Sequence, residues 1–129
     1  RFAIDENKCY FSADVYGLIL KSRLYHQVNE EFLVLLLNSR LYNYYFKSYG
    51  KKLGDKLYEY YPNTLLRLGI PDIKDEPIKY FKDSYDRIVE LKKNGDTAES
   101  ARILAEIDQW FYDFFELNQI EIDVIETNR

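Results

Sequence analysis

The segment "EEFLVLLLNSRLYNYYFKSYG", residues 30–50, constrains this chain more than any other. Leu33, Leu37, Leu41, Tyr44 and Tyr45 recur at helical spacing, and Phe32, Leu35, Tyr42, Phe46 and Tyr49 form a second stripe beside them. A helix apolar over so much of its circumference must be covered by partners on several sides. Asn29 is placed to cap its start, with Glu30 and Glu31 favourable near the positive end of the helix dipole, and Gly50 stops it. Its polar strip is Arg40, Asn43 and Lys47, which share one direction at spacings of three and four.

The flanking sequence sets the fold class. Upstream, "RFAIDENKCYFSADVYGLILKS" alternates Phe2 and Ile4, then Cys9, Phe11, Ala13 and Val15, around a turn at Asp5-Glu6-Asn7, which predicts a β-hairpin. Downstream, "GKKLGDK" reads as a basic loop, "LYEYY" as a short strand, and Pro62-Asn63 as the start of a brief helix ended by Gly69 and Pro71. Two long amphipathic helices follow. The first, after Asp75, turns Ile78, Phe81, Tyr85, Ile88 and Val89 inward. The second opens at Asp96 with Glu99 and presents Ile103, Ile107, Trp110, Phe114 and Leu117 on one face. Asn94-Gly95-Asp96 makes the pair an antiparallel hairpin. A last helix, capped by Asn118 and Glu121, is expected to bury Ile120, Val124 and Ile125. The expectation is an α+β fold: a strand-rich first part with the aromatic helix over 1–73, and a helical hairpin with a terminal helix over 74–129, packed as one domain.

With 129 residues the chain can bury a core of its own. Its single cysteine, Cys9, forms no internal disulfide, which points to the reducing cytoplasm. The longest apolar run, Phe32 to Leu37, is far below the ~20 residues of a membrane span. The sequence starts at Arg1 and holds no methionine, which predicts a part cut from a longer protein. The net charge of -4 is unevenly spread. Residues 1–70 hold ten Lys/Arg against seven Asp/Glu, a balance of +3, and residues 71–129 hold eight against fifteen, a balance of -7.

Several chemistries are absent. "GKKLGDK" lacks the GxxxxGK[ST] order of a phosphate loop, and no GxGxxG or GxSxG occurs. His26 has no nucleophile in a recognisable setting beside it. Pro71-Asp72 with Glu90-Leu91-Lys92 fits PD-(D/E)xK formally, but Glu90 and Lys92 fall on a predicted helix, where a solvated face explains them better than a metal site. Asp108, Asp113, Glu116, Glu121 and Asp123 likewise read as a wet helical face. The basic residues interleaved with aromatics, Arg40, Asn43, Lys47, Lys51, Lys52 and Lys56 among Tyr42, Tyr49 and Tyr58, suit a nucleic-acid surface: lysines neutralise phosphates, while Arg and Asn pair with base edges. Composition equally supports tyrosines that are core with wet hydroxyls, and lysines that solubilise a loop.

The wording of three phrases adds to this. "LLNSRLYNYYF", then "LLRLGIP", then "IDQWFYDFFELNQIEIDVIE" resemble, in order, the C-terminal specificity module of TaqI-like and type IIG restriction-modification enzymes and related adenine-specific DNA methyltransferases. The matching positions are Leu37, Asn38, Ser39, Leu41, Tyr44, Tyr45 and Phe46; Leu65, Leu68, Ile70 and Pro71; and Ile107, Tyr112, Phe115, Leu117, Glu121 and Ile125. Most are packing positions. Gly69 interrupts the usual "LPIP", and Phe114-Phe115 replaces an "lY" pair. The resemblance implies a non-catalytic module that recognises a sequence in double-stranded DNA, without a cofactor of its own. It serves upstream methyltransferase and nuclease domains of the same polypeptide, which use S-adenosylmethionine and, for cleavage, Mg2+. Arg40 and Asn43 are the residues expected at bases, and Lys47, Lys51, Lys52 and Lys56 at phosphates. The alternatives are a helical protein-interaction module built on the acidic hairpin and, more remotely, a nuclease on Asp72, Glu90 and Lys92.

Overall fold

The computed structural model describes residues 1–10, 15–21, 28–53, 57–59, 61–73 and 75–128. In chain order the elements are α1 (Glu30–Asn38), α2 (Arg40–Tyr49), β1 (Lys51–Leu53), β2 (Leu57–Glu59), α3 (Pro62–Leu65), α4 (Asp75–Lys93), α5 (Thr97–Phe114) and α6 (Gln119–Thr127).

The fold is helical, and the strand-rich α+β expectation is wrong. No strand occurs among the described residues ahead of α1, and the sole strand pairing among the described residues is the three-residue antiparallel ribbon β1–β2, with Lys52 opposite Tyr58. The turn at Asp5 does form, since its carboxylate accepts the amides of Asn7 and Cys9, but no strand flanks it among the described residues. Farther along, Val15 of the alternating series is exposed, as are Leu18 and Ile19. Alternation makes a strand only where a neighbouring strand takes up the backbone groups. Phe11, Ala13 and His26 lie outside the described residues.

The core gathers on α1, α4 and α5. Phe32, Phe81 and Phe111 are wholly buried and meet ring to ring, with Phe81 stacked on Phe111 at 5.4 Å between centroids and Phe32 edge-on to Phe81 at 4.9 Å. Trp110 closes the group at 4.9 Å from Phe81. Asn29 caps α1, accepting from the Phe32 amide at 2.8 Å. It also donates to the Ile78 carbonyl at 3.5 Å, and Lys82 reaches Glu31 at 3.6 Å, so the start of α1 is fixed on α4.

The α4–α5 hairpin forms as its sequence predicts. Gly95 stands at a positive φ of 76° and lets the Asp96 amide reach the Leu91 carbonyl, and the Asp96 side chain accepts from the Glu99 amide. The end of α5 repeats this turn with Glu116, at φ 54°, where glycine would be at ease. There the Leu117 amide reaches Tyr112 and the Glu116 amide reaches Asp113. Replacing Glu116 with glycine or asparagine is expected to stabilise the domain by up to about 1 kcal/mol, read as a rise in denaturation midpoint. The capping box of α6 is complete, but its buried side differs from the expected one. Ile125 is buried, whereas Ile120 and Val124 face solvent.

Candidate nucleic-acid interface

The helix read as one piece from Asn29 to Tyr49 is two. Ser39 interrupts it with ψ 157°, and its buried hydroxyl then caps the second piece, accepting from the Tyr42 amide at 3.2 Å while donating to the Leu36 carbonyl at 2.6 Å. Three consecutive side chains anchor this break. Asn38 pairs with both backbone groups of Phe2, accepting from its amide at 3.0 Å and donating to its carbonyl at 2.8 Å. Ser39 caps α2. Arg40 reaches across to the C-terminal helices.

Arg40 makes the densest polar contacts of the set. Its amide donates to an Asp108 carboxylate oxygen at 2.9 Å, its Nε lies 3.3 Å from the other, and Nη1 donates to both Glu126 oxygens at 2.7 Å. Tyr112 donates to Glu126 at 2.8 Å. The hydrogen bond to Glu126, above all, holds the Arg40 guanidinium above its ordinary basicity. Burial first, and then the bond to Glu126, push the Tyr112 hydroxyl well above the usual phenol range. Asp108, expected on a wet face, is therefore buried at the root of α2. Its position in the sequence carried the signal: it stands four residues from both Leu104 and Tyr112, inside the apolar stripe of α5.

The strip Arg40, Asn43 and Lys47 is divided by these contacts. Asn43 and Lys47 are half-buried on α2 with no side-chain hydrogen bond or ion pair among the described residues. Tyr42 and Phe46 hold the buried side, with the Tyr42 hydroxyl donating to the Gly69 carbonyl and the Phe46 ring 6.5 Å from Tyr58. Tyr45, expected in the packing, is exposed. Gly50 ends α2 in close quarters, since a Cβ there would meet the Phe46 carbonyl oxygen at 2.9 Å. The ribbon starts at once. Lys52 is exposed, with its Nζ 6.0 Å from the centre of the Tyr58 ring. Lys51 is placed by its backbone pairing with Glu59, and Lys56 lies outside the described residues.

The metal-nuclease arrangement does not assemble. Glu90 and Lys92 are two positions apart on α4, hence about 200° around the axis, and point to opposite sides. Glu90 pairs with Arg87 at 2.9 Å. No group of three His, Cys, Asp or Glu side chains that could hold a metal ion occurs among the described residues.

Comparison with known families decides what this arrangement belongs to. The family model for the TaqI-like C-terminal specificity domain matches residues 1–70, more than half of the 129. The chain belongs to the TaqI-like C-terminal specificity domain family. No curated protein and no solved structure matches it. A TaqI-like specificity domain serves target recognition in restriction-modification and is not itself catalytic. The matched span holds the helix break, α2 and the ribbon, and it ends before α5 and α6, which grip Arg40. Among the described residues, no helix is long and apolar enough to cross a membrane.

Proposed function

We propose that the chain is the DNA target-recognition module of a type IIG-like restriction-modification enzyme, giving sequence specificity to methyltransferase and nuclease domains upstream in the same polypeptide. The observation that carries this reading is the family match over residues 1–70, the part of the chain whose charge balance is +3. Cations near a duplex release condensed counterions, and this supplies affinity without sequence preference. Lys47, Lys51, Lys52 and Lys56 take that role, and Asn43, which shares α2 with Lys47, reads a base edge. Adenine methylation, with S-adenosylmethionine, and cleavage, with Mg2+, belong to the upstream domains and not to this chain.

The test exchanges Lys51, Lys52 and Lys56 together for alanine in the intact protein. The slope of log affinity against log salt is expected to fall by about 2 to 3, because each lost phosphate contact removes roughly 0.9. Unchanged affinity with an unchanged slope sinks the reading. A second reading, a protein-interaction module, draws on Phe114, Phe115, Ile120 and Val124, which are exposed at the end of α5 and along α6. It expects the lysine exchange to leave every DNA property as it was.

A further inference from the structure

We infer that Arg40 is a positioning residue, gripped by Glu126 and Asp108 so that the two C-terminal helices set the direction of α2 and of the ribbon it carries. The inference rests on the DNA reading above and extends it to residues 71–129, which the family model does not reach.

The reasoning starts at the break. A continuous helix transmits direction through its own hydrogen-bond ladder, and Ser39 interrupts that ladder. The angle of α2 therefore depends on what holds its first turn from outside. Arg40 is the first residue of α2, and both its backbone amide and its guanidinium are bound by Asp108 of α5 and Glu126 of α6. A carboxylate at a helix start is also favoured by the helix dipole. Tyr112 donates to Glu126 and fixes that carboxylate in turn. Both carboxylates engage the Arg40 guanidinium, so its donors are directed at Glu126 and Asp108 rather than at a DNA phosphate. Beyond this root lie Asn43, Lys47 and the ribbon. They inherit their aim from the root.

Positioning and direct contact predict opposite signs for one substitution. The intact protein would first be used to select a preferred duplex from a randomised pool. Affinity for that duplex and for a scrambled one would then be measured by fluorescence anisotropy over a salt series for wild type, Glu126→Gln and Asp108→Asn. If Arg40 positions α2, both variants lose preference for the selected duplex by roughly three- to tenfold, while the salt slope stays the same. If Arg40 contacts DNA, neutralising its carboxylates frees a cation, so both duplexes bind more tightly and the slope rises; that result overturns the inference.

Hydrogen exchange on the same samples gives a readout that needs no DNA. Loss of amide protection confined to residues 41–53 in Glu126→Gln supports positioning, and unchanged protection there overturns it. A wild-type protein that binds no duplex sinks the DNA reading alone, and the exchange result still decides the role of Arg40. Tyr112→Phe, which keeps every charge and removes one hydrogen bond to Glu126, serves if the charge variants do not fold. It is expected to shift protection in the same direction by a smaller amount.

Discussion

Phe111→Ala should cost about 3 to 5 kcal/mol of folding free energy, the range for deleting a buried aromatic ring from a packed core. The ring is wholly buried, stacked on Phe81, and 6.1 Å from Phe32 and 5.5 Å from Trp110 between centroids. It is where α1, α4 and α5 meet. Loss on this scale consumes much of the roughly 5 to 15 kcal/mol that holds a domain of this size together. Urea denaturation followed by circular dichroism measures it. A loss below about 1 kcal/mol would mean that the three helices do not share one core. Phe114→Ala is the natural comparison, because that ring is stacked on Trp110 but exposed, and its removal should cost far less.

Asp108→Ala comes second, at about 2 to 4 kcal/mol. One carboxylate there satisfies the first amide of α2 and the Arg40 Nε together. Alanine leaves both short of a partner in a place where the Arg40 side chain is only 36% exposed. The double variant Arg40→Met with Asp108→Ala should be less destabilised than the two single losses added together, because the guanidinium that needed the carboxylate is then gone. Additive losses would show that Asp108 acts through the Arg40 backbone amide and packing rather than through the guanidinium. The same denaturation midpoints decide between the two outcomes.

Where the sequence spoke clearly, it did so through periodic stripes bounded by caps. The α4–α5 hairpin and the cap of α6 follow from Asp96, Gly95, Asn118 and Glu121, each of which acts within a few residues of itself. The failures were questions of what lies across space. Phe2, Ile4, Cys9 and Val15 carry strand chemistry, but whether a strand forms depends on a neighbour that no local pattern reveals. Ser39 inside an apolar helix looks like an ordinary polar position, and only its buried hydroxyl, turned to cap α2, shows the break. In α6, Ile120, Ile122, Val124 and Ile125 offer two apolar sides, and the buried residue is Ile125, next to the Glu126 that pairs with Arg40. The candidate site was legible as a list of basic residues. Arg40 shares its spacing with Asn43 and Lys47, yet its partners come from 68 and 86 residues away, and helical spacing carries no trace of them.

The break at Ser39 has a consequence for how such a scaffold can change. Because Arg40 is pinned, one residue inserted or deleted between Arg40 and Lys47 would turn everything beyond it by about 100° around the axis of α2. Asn43, Lys47 and the ribbon would then swing away together, and no neighbouring contact could restore them one at a time. Diversity in chain length is thus disfavoured in the helix that carries the ribbon, so lineages with different preferences should differ in α2 by substitution rather than by length.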